Sequence, residues 1–142
     1  MILTVLGLAA STAFAGAALY VNLAEHPARL ALDDTNALRQ WKPSYAKGAL
    51  MQASLAMVGG LLGLAAWLVE GSLAAGIGGL LVLSAWPWTL FVIAPVNNRL
   101  KATPPDQAGA ETRTLLSRWG QLHAVRTLLG LASAAAYIAA LV

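Results

Sequence analysis

The chain has 142 residues, 58% of them hydrophobic and 11% charged, with no cysteine; a soluble domain carries about 25% charged residues, so a freely dispersed globular fold is excluded, as are disulfides and thiolate chemistry. Its nine Lys/Arg against six Asp/Glu give a net charge of +3. In so apolar a chain these cations read as topology signals for a lipid bilayer, and no nucleic-acid partner is expected.

A helix that crosses a bilayer needs about 20 mostly apolar residues. Charge-free stretches cover 1–24, 48–69, 71–98 and 127–142, and the last can extend back through Gln121. Expected spans are 2–24, 48–69, 73–96 and 120–142, within one all-α domain, an integral membrane four-helix bundle. Ala13-Phe14-Ala15 resembles a signal-peptidase site, but the basic segment such a peptide requires is missing, so 2–24 is expected to remain as the first span. Short interfacial helices are expected in the first and third connections. Asp33-Asp34-Thr35 caps one that Pro43 ends, and Pro104-Pro105-Asp106 starts another that runs from about Gln107 into span four. Trp41, Tyr45 and Trp119 suit the headgroup belt.

Connection one carries Arg29, Arg39, Lys42 and Lys47, and connection three carries Arg99, Lys101, Arg113 and Arg118, whereas the turn at Glu70-Gly71-Ser72 has no base. The positive-inside rule places connections one and three in the cytoplasm and both termini outside; a bacterial inner membrane is the expected location. Gly59 with Gly63, Gly76 with Gly79, and Ser11 with Ala15 are spaced for close helix packing, and such faces also admit a homo-oligomer. Pro87, inside span three, removes one backbone donor and is expected to loosen that helix. Val21-Asn22 and Val96-Asn97, at the ends of spans one and three, hint at two similar hairpins.

The chemistry gathers at one membrane edge. Asn22, His26 and Arg29 fall at i, i+4 and i+7, and Trp119, His123, Arg126, Thr127 and Gly130 form a second stripe. The chain has two histidines, and both are expected at the same level, each with an arginine. Ionisable groups inside a span are costly and mark functional sites or snorkel to headgroups. Two chemistries fit. In one, a histidine acts as general base and guanidinium and amide groups hold an oxyanion. In the other, His26, His123 and Glu25 form a two-histidine, one-carboxylate triad for a non-heme metal, although Glu25 and His26 are adjacent and point about 100° apart on a helix.

Asn22-x-x-Glu25-His26-Pro27-x-Arg29, Trp41, Tyr45, Pro95-x-Asn97-x-Arg99-Leu100 and Trp119-x-x-x-His123-x-x-Arg126 together resemble the anthrone oxygenase-like family of small four-helix membrane proteins. The resemblance implies oxidation of an anthrone, phenol or quinol-type aromatic by dioxygen, with no added organic cofactor. It implies His26 or His123 as base, and Arg126, Arg29 and Asn97 as holders of substrate oxygens. Asn22, Glu25, Trp41, Tyr45 and Trp119 would contact the substrate, with Trp86 and Trp88 as further walls for flat rings. Two other classes fit the composition: a non-catalytic membrane protein that binds a quinone, lipid or other aromatic ligand, including a small subunit of a larger complex, and a transporter.

Overall fold

The structure, a computed structural model, describes residues 1–142. Four helices carry the fold: α1 (Ile2–Leu30), α2 (Asp34–Glu70), α3 (Leu73–Ala102) and α4 (Ala110–Ala139), each long and apolar enough to cross a membrane. There is no strand. Each helix packs against its sequence neighbours and α1 closes the ring against α4, so the molecule is a four-helix membrane bundle.

Local chemistry sets the helix ends. Asp33 caps α2 by accepting the Asn36 N–H at 3.0 Å. That donor, ahead of the Asn36 side chain, holds the Asp33 carboxyl below its ordinary value of 3.8. Gly71 ends α2 at φ 71°, a left-handed conformation that glycine adopts without strain, and Ser72 caps α3 by accepting the Ala75 N–H at 3.3 Å. Glu70 at the end of α2 accepts the Leu3 N–H at 2.8 Å and the Thr4 hydroxyl at 2.7 Å, which ties the start of α1 to that turn.

Three expectations about the connections are corrected. The short interfacial helix of the first connection is not separate, because α2 runs unbroken from Asp34 through Pro43 to Glu70. Pro43 is exposed, and the core holds the helix on either side of it: Leu38 and Trp41 are fully buried, and Tyr45 stacks on Trp41 at 4.7 Å. One missing donor does not outweigh that packing. In the third connection, Pro105–Gln107 forms a single 3-10 turn and α4 begins at Ala110. Trp41 and Trp119 belong to the core, at 0% and 5% exposure.

Two helices change register near the site. Val21–Glu25 in α1 and Thr89–Ile93 in α3 are π-helical, and each stretch is followed by a proline at the second position, Pro27 and Pro95. A proline ring collides with the carbonyl four residues earlier. Widening the preceding turn, so that His26 N–H reaches Val21 O and Ala94 N–H reaches Thr89 O, lets both helices continue. Such single wide turns occur often at functional sites. At Pro87, α3 passes through a turn at Ser84 and then resumes.

The half of the bundle away from the site is built on small residues. A Cβ at Gly63 would lie 2.6 Å from the Ala75 carbonyl and 2.7 Å from Gly79 Cα, and one at Gly79 would lie 2.7 Å from the Gly60 carbonyl. α2 and α3 therefore meet backbone to backbone. Tyr137 donates to the Gly59 carbonyl at 2.6 Å, and Ser133 donates to Gly78 O at 2.7 Å, so the buried hydroxyls here are satisfied by helix carbonyls at buried glycines.

Candidate functional site

At the other end the polar residues of all four helices converge. The first of them is Asn22, on the π-turn of α1. Its Nδ2 donates to the Gly120 carbonyl at 2.9 Å, and a carbonyl can only accept, so the amide orientation is fixed. Its Oδ1 is then an acceptor, reached by the Thr127 hydroxyl at 2.7 Å and by His123 Nδ1 at 2.9 Å. His123 must therefore carry its proton on Nδ1, and Nε2 is left with a lone pair and no protein partner. His123 is 5% exposed and lines a cleft whose empty space, open solvent at the mouth included, is about 480 Å³.

Arg126, three residues on, lines the same cleft and is 8% exposed. It donates to Thr89 Oγ1 at 2.6 Å and to Gln52 Oε1 at 3.0 Å, while its Nε is buried without a partner. None of the protein's ion pairs includes it. A buried guanidinium with neutral ligands alone is an unbalanced charge in a low-dielectric setting. It does not snorkel to headgroups.

Arg29 is the opposite case. It pairs with Glu25 at 2.6 Å, donates to His26 Nδ1 at 2.9 Å and to Gln40, and lies 5.5 Å over the Trp119 ring. Glu25 also accepts from Ser44 and, at 3.3 Å, from Gln40. The Arg29 charge is compensated, and its network fixes the short α1–α2 connection against α2.

Trp119 stands between the two histidines, with ring centroids 5.2 Å from His26 and 5.0 Å from His123. Its Nε1 donates to Asn97 Oδ1 at 2.9 Å, and Asn97 Nδ2 donates to the Tyr45 hydroxyl at 3.2 Å. The Tyr45 oxygen thus accepts, and its proton is free to point into the cleft that both residues line.

The sequence-expected residues divide clearly. Glu25, Arg29, Tyr45, Asn97, Trp119, His123 and Arg126 line the cleft. Asn22 stands behind His123 and orients it. His26 is off the cleft wall: its Nδ1 accepts a hydrogen bond from Arg29, its ring fits over the bare Cα of Gly120, and its Nε2 is buried without a partner. Trp41 lies beneath Tyr45 and edge-on to Trp119, 6.0 Å away, as support. Trp88 donates to the Leu122 carbonyl at 3.0 Å, tying α3 to α4. The metal triad of His26, His123 and Glu25 is corrected: no group of three or more His, Asp or Glu is placed to hold an ion. The physical reason is that Glu25 turns to Arg29 and Ser44, while both histidine Nδ1 atoms are engaged elsewhere. Sequence reading passed over Ser44, Gln52 and Thr89. Gln52 had a signal, as a lone amide in the charge-free stretch 48–69; Thr89 and Ser44 had none.

The sequence model of a family described as anthrone oxygenase matches residues 41–136. Anthrone oxygenase tpcL of Aspergillus fumigatus is 50% identical over 48 residues, which is 32% of this chain and 30% of that protein. The chain therefore covers less than a third of the length of that curated relative. No solved structure matches. The family match takes in Tyr45, Gln52, Thr89, Asn97, Trp119, His123 and Arg126, the cleft walls of α2, α3 and α4. By that match, which covers most of its length, the chain belongs to the anthrone oxygenase family.

Proposed function

We propose that this protein is a membrane-embedded oxygenase that uses dioxygen on an anthrone, phenol or quinol-type aromatic, with His123 as general base and Arg126 as the principal oxyanion holder. One observation carries the reading. A histidine with a fixed tautomer and a free Nε2 lines a cleft together with a buried arginine, one turn along the same helix, that lacks any carboxylate. Asn22 plays the part that an orienting partner plays for a histidine base. Arg126, and the Tyr45 hydroxyl proton, supply donors where charge develops on the substrate oxygen.

For an anthrone the steps balance. His123 Nε2 takes a proton from the ring methylene, and the charge moves to the oxygen held by Arg126. The electron-rich anion passes one electron to dioxygen; the resulting radical and superoxide combine at the same carbon, and the peroxide takes up the proton from His123. His123 then removes the second proton on that carbon. The O–O bond breaks, a carbonyl forms and water leaves. One anthrone and one dioxygen give one quinone and one water. These steps need no organic cofactor and no resident metal. We further propose that the site end, which carries the basic connections, faces the cytoplasm of a bacterial inner membrane.

The test is anthrone-dependent dioxygen uptake by purified protein, with chelator present and absent, against the background with His123→Gln. Uptake above background that survives chelation supports the base mechanism. Uptake that chelation abolishes would transfer the chemistry to a metal. No uptake would leave the cleft as a binding site for an aromatic ligand.

A further inference from the structure

A second cleft, with about 410 Å³ of empty space when the open solvent at its mouth is included, lies beside the first between α2 and α3. Its walls are Ala53, Ala56 and Ala85 with Trp86 and Leu90, and it shares Ala49, Thr89 and Arg126 with the cleft that holds His123. Its mouth falls within the charge-free stretches 48–69 and 71–98, so it opens toward lipid; Leu90 and Trp86 at the rim are 58% and 37% exposed. The alanines matter because they leave a slot where larger apolar side chains would close the contact between α2 and α3. The slot ends on Arg126, which is more than nine-tenths buried and whose Nε has no partner. An apolar groove that leads from lipid to an unbalanced cation suits a flat apolar body with an oxygen-bearing edge.

We infer that this alanine-lined slot is a lateral portal through which a fused-ring aromatic substrate passes from the bilayer to Arg126 and His123. The inference rests on the reading above and adds its route and its fit. The ring body slides between α2 and α3, and the polar edge reaches the guanidinium first. Product leaves by the same path, so no water-filled route for an apolar molecule is needed. Ala53, half-buried on the wall of the slot and itself outside the hydrogen-bonded cluster, sets the width of ring that can pass.

The absence of cysteine allows a direct test. Ala53→Cys and, as a control on the lipid-facing side, Leu68→Cys, at an 81% exposed position, are reacted with a lipid-soluble maleimide in nanodiscs, with and without anthraquinone as the tricyclic probe. Anthraquinone is expected to protect Ala53→Cys and leave Leu68→Cys unchanged. Ala53→Phe is expected to slow anthraquinone association about tenfold, within the range over which on-rates vary among variants of one site. Binding to the parent protein with no protection of Ala53→Cys and no slowing by Ala53→Phe would overturn the portal and leave the oxygenase reading intact. Protection without dioxygen uptake would keep the portal and remove the oxygenase. If anthraquinone does not bind the parent protein, the portal for a fused tricycle falls, and the oxygenase reading stands or falls by dioxygen uptake alone.

Discussion

At Arg126 the cost of burying a cation is met by neutral dipoles, those of Gln52 and Thr89, and by no anion. A structural arginine at this depth would be expected to have a carboxylate, as Arg29 has Glu25. The distinction sorts the polar residues into those that hold the fold and those that await a ligand. His123→Gln should lower turnover by about 10²–10⁴-fold, the usual contribution of a general base, with the helical circular dichroism unchanged. His26→Gln should cost much less, because His26 lies off the cleft with Nδ1 already occupied; an equal loss in both variants would remove His123 from its assigned role. Arg126→Gln should lower turnover by about 10²–10³-fold, the range for one lost oxyanion donor, measured as kcat in the same uptake assay.

Among the helices, the prolines and glycines that look like breakers are accommodated in different ways. Pro27 and Pro95 are absorbed by π-turns, and one of these turns brings Asn22 to face His123 while the other bears Thr89. The glycines let α2 and α3 touch through their backbones. Gly63→Ala should therefore destabilise the bundle by about 1–3 kcal/mol, the range for overpacking a tight contact, as read from reversible unfolding in mixed detergent. Gly16→Ala, where an added Cβ meets nothing within 4 Å, is the matched control and should not destabilise it. The α2 cap gives a further test. Because the Asp33 carboxyl is held below 3.8 in the folded protein, its stabilising effect is complete above its unfolded value and is lost as the pH falls through the lower, folded one. The Asn36 amide resonance should titrate with a midpoint below 3.8, and that titration should vanish in Asp33→Asn, which keeps the cap without the charge.

The whole molecule places the site, both basic connections and the Lys and Arg side chains at one end, and the glycine-built contact at the other. With the basic end inside, Asp106→Cys in the third connection should react with a membrane-impermeant maleimide only in inverted vesicles. Ser72→Cys in the turn between α2 and α3 should react only in intact spheroplasts. The reverse pattern would put the site on the outer face, where an outside source of substrate would have to be sought.

Membrane residence, helix count and the family were legible from charge-free stretches and short motifs, because a bilayer rewards apolar length wherever the chain places it. So was the placement of His26 and His123 at one level, on either side of Trp119, since the end of one span and the start of its antiparallel neighbour share a depth. The sequence could not choose between the two histidines. Each has an arginine three residues on and both were expected at the same depth, and only the packed bundle shows that one is capped by Arg29 while Asn22 leaves the other free. Nor could it show that Pro43 is tolerated within α2, that Gln52 and Thr89 hold Arg126, or that the alanines on α2 and α3 leave a slot between them. These are matters of which neighbour a side chain meets across the bundle. Helix rotation and the two widened turns decide that, and the same residues in another register would face lipid.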